Sequence, residues 1–322
     1  MRPASIILAA TCALAATLRP APAGSQQLPD SAFNPPVARP AFAVGKGPTL
    51  CLDEAHRNFH TLDNRFYAFG ALARRDGFRV SASRAPFTAQ SLARCQLLVI
   101  SNAQPNDDDW DTYPYPTPSA FTATEVAAVR AWVERGGAIL LIADHMPLAG
   151  AAAKLAAAFD VSFTDGFAVK RFTSEAGRDS SFGAPTLFRR TDATLAAHAI
   201  TRGRDSSEAV SQVRSFTGQA FRAAPGVLQP VMVLPADFVS LEPRIAWQFK
   251  DDTPARDVGG WLQGGTRTVG RGRAAFFGEA AMFSAQVAGP RRRPMGMNAP
   301  MAEQNPQFVL NVLRWLAGVL PS

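Results

Sequence analysis

The sequence predicts an α/β fold built on a mostly parallel sheet. Two observations carry that expectation. From residue 48 to 169, short apolar runs alternate with amphipathic helical stretches, a pattern that calls for parallel strands joined by right-handed crossovers. Within it, QLLVIS (96–101) is apolar almost throughout, as a strand covered on both faces is.

The elements follow in order. PTLCLDE (48–54) is a short apolar run closed by acids. Leu62, Phe66, Phe69 and Leu72 recur at helical spacing, and Gly77 ends the pattern. FRVSAS (78–83) and QLLVIS (96–101) are the second and third strands. After a polar loop, Thr122-Ala-Thr-Glu125 reads as a capping box for a helix carrying Val126, Val129 and Trp132. AILLIAD (138–144) is the fourth strand, 149–159 a helix, and VSFTDGFAV (161–169) a further strand. The second half alternates less cleanly. Strands are expected at 213–221, 230–234, 245–249 and 273–279, and an amphipathic helix at 306–318.

The flanking sequence bears on location. Arg2, the apolar stretch IILAATCALAATL and Ala21-Pro22-Ala23 form a secretory signal pattern, with cleavage expected after Ala23. Thr11 before Cys12 argues against a lipid anchor. Residues 24–47, rich in proline and glycine, read as a linker, which leaves 48–320 as one domain. No later run is long and apolar enough to span a membrane. The formal charge is +7, but the basic residues are scattered, and no nucleic-acid motif accompanies them. Cys51 and Cys95 fall on or beside buried strands and read as two free thiols, although export also permits a disulfide.

In open parallel sheets, ligands bind beyond the carboxyl ends of the strands. Here those ends carry Asp53, Glu54, His56, Asn58 and His60, then Ser101 and Asn102, then Asp144 and His145, and finally Glu279. Three of the four histidines fall on this edge. Glu54, His56, His60, Asp144, His145 and Glu279 are therefore the candidate catalytic residues, with Asn58, Asn102 and Trp110 as candidate substrate contacts. Trp110 comes from NDDDWDTYPYP (106–116), either a solvated loop or a substrate-facing lid. His198 reads as a loop or helix-end residue.

Histidines and carboxylates together suit a divalent metal such as zinc. They suit metal-free acid/base chemistry equally. His56 and His60 are four apart, but Arg57 stands where the zinc-protease pattern has glutamate. No G-x-S-x-G motif appears. Asp144, at a strand-to-helix turn, also suits a carboxylate nucleophile.

LDEAHRNFH, LLVISNA, the stretch from FTATEV to ADHMPLAGAA, GRAAFFGEAAMFSAQ and NPQFVLNVLRWL resemble an exported bacterial family in the class I glutamine-amidotransferase-like superfamily. Its relatives include ThuA-like proteins and gliding-motility auxiliary domains of transporters. The resemblance implies a flavodoxin-like three-layer sandwich with a mostly parallel central sheet. It does not imply glutaminase activity. In true amidotransferases the turn matching AILLIADH holds a nucleophilic cysteine, whereas Asp144 and His145 occupy it here, and Ala199-Ile200 after His198 breaks the His-x-Glu pair. The expectation is an exported hydrolase-like enzyme acting on a sugar or envelope-derived substrate. A non-catalytic module binding a carbohydrate or a transporter partner is the alternative.

Overall fold

The computed structural model describes residues 27–322, so the signal pattern at 1–23 lies outside the described residues. The architecture is α/β around a nine-stranded mixed sheet. Five neighbouring strands are parallel, in the spatial order Arg79–Ser83, Thr49–Asp53, Leu97–Ser101, Ala138–Ile142 and Gly272–Phe277. The apolar runs of the sequence are these strands, and Leu97–Ser101 and Ala138–Ile142 are buried at every position. Beyond Gly272–Phe277 the sheet turns antiparallel through Leu262–Val269.

Helices cover both faces. Leu50, Leu52, Val99, Leu140 and Phe277 pack with Tyr67–Arg75 and Asn305–Leu316. Cys51, Leu98, Ile139, Leu141 and Phe276 point the other way, toward Ala123–Glu134 and Leu148–Ala157. That inversion is the period-two alternation of strand side chains. Thr122 and Glu125 close the expected capping box, and His198 is an N-cap whose ring accepts from Ile200 N at 3.1 Å.

Five expectations are corrected. Cys51 and Cys95 are not free thiols. Their Cα atoms lie 5.8 Å apart and the sulfurs are bonded, because the turn into Leu97–Ser101 brings Cys95 beside the neighbouring strand. Residues 27–47 are not an unpacked linker. Gln27–Pro29 is a strand paired with Ala285–Ala288, and Phe42 meets Phe78 edge-on at 5.3 Å. Gly77 makes that packing possible: its φ is +95°, and a Cβ there would lie 2.4 Å from the Phe42 carbonyl oxygen.

The run 161–169 is two strands in different sheets, Ser162–Phe163 and Phe167–Lys170. Likewise 213–221 divides into Gln212–Ser215 and the start of Phe221–Arg222. The run 245–249 forms no strand; Trp247 there takes a φ of +63°, which breaks an extended chain.

A buried ionic cluster locks the ends of the chain together. Arg314 holds Asp76 through Nε at 2.9 Å and Nη2 at 2.6 Å, pairs with Glu208 at 3.0 Å, and donates to the Arg39 carbonyl.

Candidate functional site

A cavity of about 180 Å³ opens beyond the carboxyl ends of Leu97–Ser101, Ala138–Ile142 and Gly272–Phe277. His60, Asn102, Trp110, Asp144, His145 and Glu279 all line it. The parallel pairing puts these strand ends on one edge, which is why residues 219 positions apart in sequence, from His60 to Glu279, meet there.

Asn102 sits just past its strand with φ +56°, a conformation asparagine tolerates better than most residues. Its amide faces Asp144 squarely: Nδ2 donates to Asp144 Oδ2 at 2.8 Å, and Oδ1 accepts from Asp144 N at 2.9 Å. Asp144 Oδ1 accepts from Ala280 N. Burial raises the Asp144 pKa to about 7 against the pull of these two donors. Asp144 therefore exchanges its proton near neutrality.

Glu279 is fully buried beside it. Burial first, and then the Asp144 charge, push its pKa well above the carboxylate range, although Met282, Ala281 and Phe216 N–H groups favour the ionised form. Two carboxyls in one apolar pocket cannot both ionise cheaply. The pair holds a proton at neutral pH.

Both cavity histidines are neutral. His145 Nδ1 donates to the Met146 carbonyl at 2.7 Å, which leaves Nε2 as an acceptor. Burial lowers its pKa to about 4. Its ring stacks on Phe167 at 4.5 Å and meets the edge of Trp247 at 4.8 Å. His60 is held well below its ordinary value by burial and then by the Arg65 charge, and its Nδ1 lies 3.1 Å from Ser101 Oγ. Trp110 contacts Phe59 at 5.3 Å and Trp247 at 6.5 Å, so its segment forms part of the cavity wall.

Three expected residues lie outside the cavity lining. His56 is clamped between carboxylates: Nδ1 lies 2.9 Å from Asp53 Oδ2, and Nε2 lies 2.9 Å from Glu125 Oε1. Burial opposes its charge, but the two acids outweigh burial and the pKa rises. Phe87 and Phe121 flank the ring. Asn58 serves the same cluster, donating to Asp53 Oδ2 at 2.7 Å. Glu54 accepts from Leu62 N and pairs with Arg84 at 2.8 Å. These groups fix the loop after Thr49–Asp53; their polarity reflects structure.

The cavity also contains residues that sequence reading misses, chiefly Trp247, Phe182, Arg214 and Gln286. Trp247 is hidden inside an apparent strand. Arg214 and Gln286 come from strands whose alternation carries no chemical motif. Among the described residues, no group of three or more histidine, cysteine, aspartate or glutamate side chains is arranged to hold a metal ion. A divalent metal, one of the two chemistries these residues left open, therefore has no ready ligand set among the described residues.

No protein-family model matches the sequence, and no curated protein matches it. Solved structures do share its outline. The mmIFT52 N-terminal domain superposes with a TM-score of 0.53 at 11% identity, over 83% of this chain and 96% of that one. This likeness is one of fold. A ThuA-like protein from Bacteroides uniformis ATCC 8492 gives 0.43 at 11% identity, over 88% and 94%. A GMP synthase protein from Thermoplasma acidophilum gives 0.39 at 12% identity, over 85% and 96%. The last two likenesses are too distant to argue from.

Proposed function

We propose that this protein is a hydrolase-like enzyme acting on a sugar or envelope-derived substrate, with Asp144 and Glu279 as its acid/base pair. One observation carries the reading: two carboxyls whose pKa values are both raised face an aromatic-walled cavity at the strand carboxyl ends. Asp144, with a pKa of about 7, has the proton affinity that suits a general base at neutral pH. Glu279 keeps its proton longer and serves as the acid.

In the proposed step, water loses a proton to Asp144 as its oxygen attacks the substrate. The bond to the leaving oxygen breaks, and Glu279 protonates that oxygen. His145 Nε2 accepts a hydrogen bond from a substrate hydroxyl or from the water. Trp110 and Trp247 give apolar faces to a sugar ring. Asp144 and His145 occupy the strand-to-helix turn, so glutaminase chemistry through a cysteine is not part of the reading.

The parallel strands run in the order 2-1-3-4-5, the order of flavodoxin-like folds. With helices on both faces, it supports a flavodoxin-like sandwich and kinship with the amidotransferase-like superfamily. The Cys51–Cys95 disulfide supports export, because such bonds persist in oxidising compartments.

The test is a hydrolysis screen of glycosides and envelope fragments with wild type, Asp144→Asn and Glu279→Gln. Turnover in wild type that falls at least ~100-fold in each folded variant is expected for acid/base groups. Substrate binding without turnover in any protein would leave the binding module as the survivor.

A further inference from the structure

One cationic side chain belongs to the cavity lining and has no ion-paired acid among the described residues. Arg214 is the sole lysine or arginine in the cavity lining among the described residues. It makes no ion pair among those residues; burial lowers its pKa, and the Glu303 charge opposes that only in part. Its Nη1 donates to the Pro300 carbonyl. Its Nε is buried without a partner, and Nη2 makes no hydrogen bond among the described residues.

The guanidinium is nonetheless well placed. It lies over the Phe216 ring, 4.8 Å from the centroid, and Phe216 is itself a cavity residue. Its backbone is fixed by Asn305, which accepts from Arg214 N at 3.0 Å and donates to Arg214 O at 2.8 Å. The edge without a protein partner, Nε with Nη2, is the edge with which Arg314 grips the Asp76 carboxylate in the same molecule. That fork matches the planar geometry of a carboxylate.

A second orphan lies in the same wall. Gln286 is 1% exposed; its Nε2 donates to Ser284 Oγ at 2.6 Å, while Oε1 has no donor. Buried polar atoms without partners are rare, and each calls for an explanation. A ligand carrying both an anionic group and a hydroxyl satisfies both. The cavity, below the ~300–1,000 Å³ of drug-sized sites, has room for about one sugar ring.

We infer that the cavity selects an acidic sugar, with Arg214 gripping the carboxylate and Gln286 Oε1 accepting from a ring hydroxyl. This rests on the proposed function for the identity of the site but concerns recognition, so binding alone tests it. Calorimetric titration of the full mature chain would use D-glucuronate, its methyl ester, D-glucose and glucose 6-phosphate.

Glucuronate should bind ~10–100-fold tighter than its neutral ester, the range for hydrogen bonds to a charged group. Arg214→Met should abolish that preference, and Arg214→Lys, which lacks the fork, should restore only part of it. His56→Gln, at a residue outside the cavity lining, should keep it. Equal binding of acid and ester, an unaltered preference in Arg214→Met, tighter binding of the phosphate than the carboxylate, or no binding of any probe would each overturn the inference. An Arg214-dependent preference in a protein that hydrolyses nothing would sink the proposed reaction and leave this recognition standing.

Discussion

Replacing Asp144 by asparagine should stabilise the protein progressively as pH rises. A carboxyl whose folded pKa is raised binds its proton in the folded state after the unfolded chain has released it. Stability therefore falls as pH rises through that window. For Asp144 the window runs from the ordinary 3.8 to about 7. Each pH unit is worth about 1.4 kcal/mol, so ionised Asp144 costs the fold about 4 kcal/mol above pH 7, and roughly 1.5 kcal/mol at pH 5.

Asparagine turns one amide N–H toward the donors Asn102 Nδ2 and Ala280 N. That penalty is independent of pH and drops out of a comparison. Urea unfolding of both proteins at pH 5, 6, 7 and 8 is the assay. The difference in stability should shift by about 3 kcal/mol in favour of the variant between pH 5 and 8. Loss of the Asp144 charge also eases ionisation of Glu279, which acts in the same direction. A difference that stays flat across this range would refute the claim that folded Asp144 keeps its proton to near neutrality, and with it the acid/base assignment.

Other expectations follow from the same geometry. Cys51 and Cys95 close a loop with a sequence separation of 44, so reduction, or Cys51→Ala with Cys95→Ala, should cost about 4 kcal/mol by loop entropy; an unchanged urea midpoint on reduction would contradict the bond. His56 has a raised pKa between two carboxylates, so His56→Gln should lose most stability below the unfolded pKa of 6.5 and progressively less as pH climbs through the folded value; a loss that grows toward alkaline pH would argue against a bridging imidazolium. The same variant should leave glucuronate binding unchanged, because His56 is outside the cavity. Arg314→Met strands Asp76 in the core, while Glu208 keeps Arg204, and should cost about 3–5 kcal/mol, read as a lowered thermal midpoint. A Tm within a degree of wild type would mean that solvent reaches Asp76.

Much of this protein is legible in the order of its residues. The strand runs at 48–54, 96–101 and 138–144 announce themselves because a strand buried on both faces must be apolar almost throughout, and the edge strand at 78–83 shows the polar alternation of a half-exposed one. The capping box at Thr122 is legible because its two hydrogen bonds are local. Asn102, Asp144, His145 and Glu279 are legible as a group because each directly follows an apolar run, and parallel strands deliver their ends to one edge.

Other features depend on distance in three dimensions. Nothing near His56 in sequence says that Glu125 will take its second nitrogen, so a structural clamp reads like a catalytic histidine. Cys51 and Cys95 are separated by two helices and a strand, and only the register of neighbouring strands decides whether their sulfurs meet. The segment 27–47 looks like linker because backbone pairing with Ala285–Ala288 requires no apolar side chains. Arg214, Gln286 and Trp247 acquire meaning only when three remote segments close one cavity. Sequence pattern determines which elements form, because their hydrogen bonds and burial repeat locally. Tertiary structure alone decides which polar groups find partners and which are left facing a ligand.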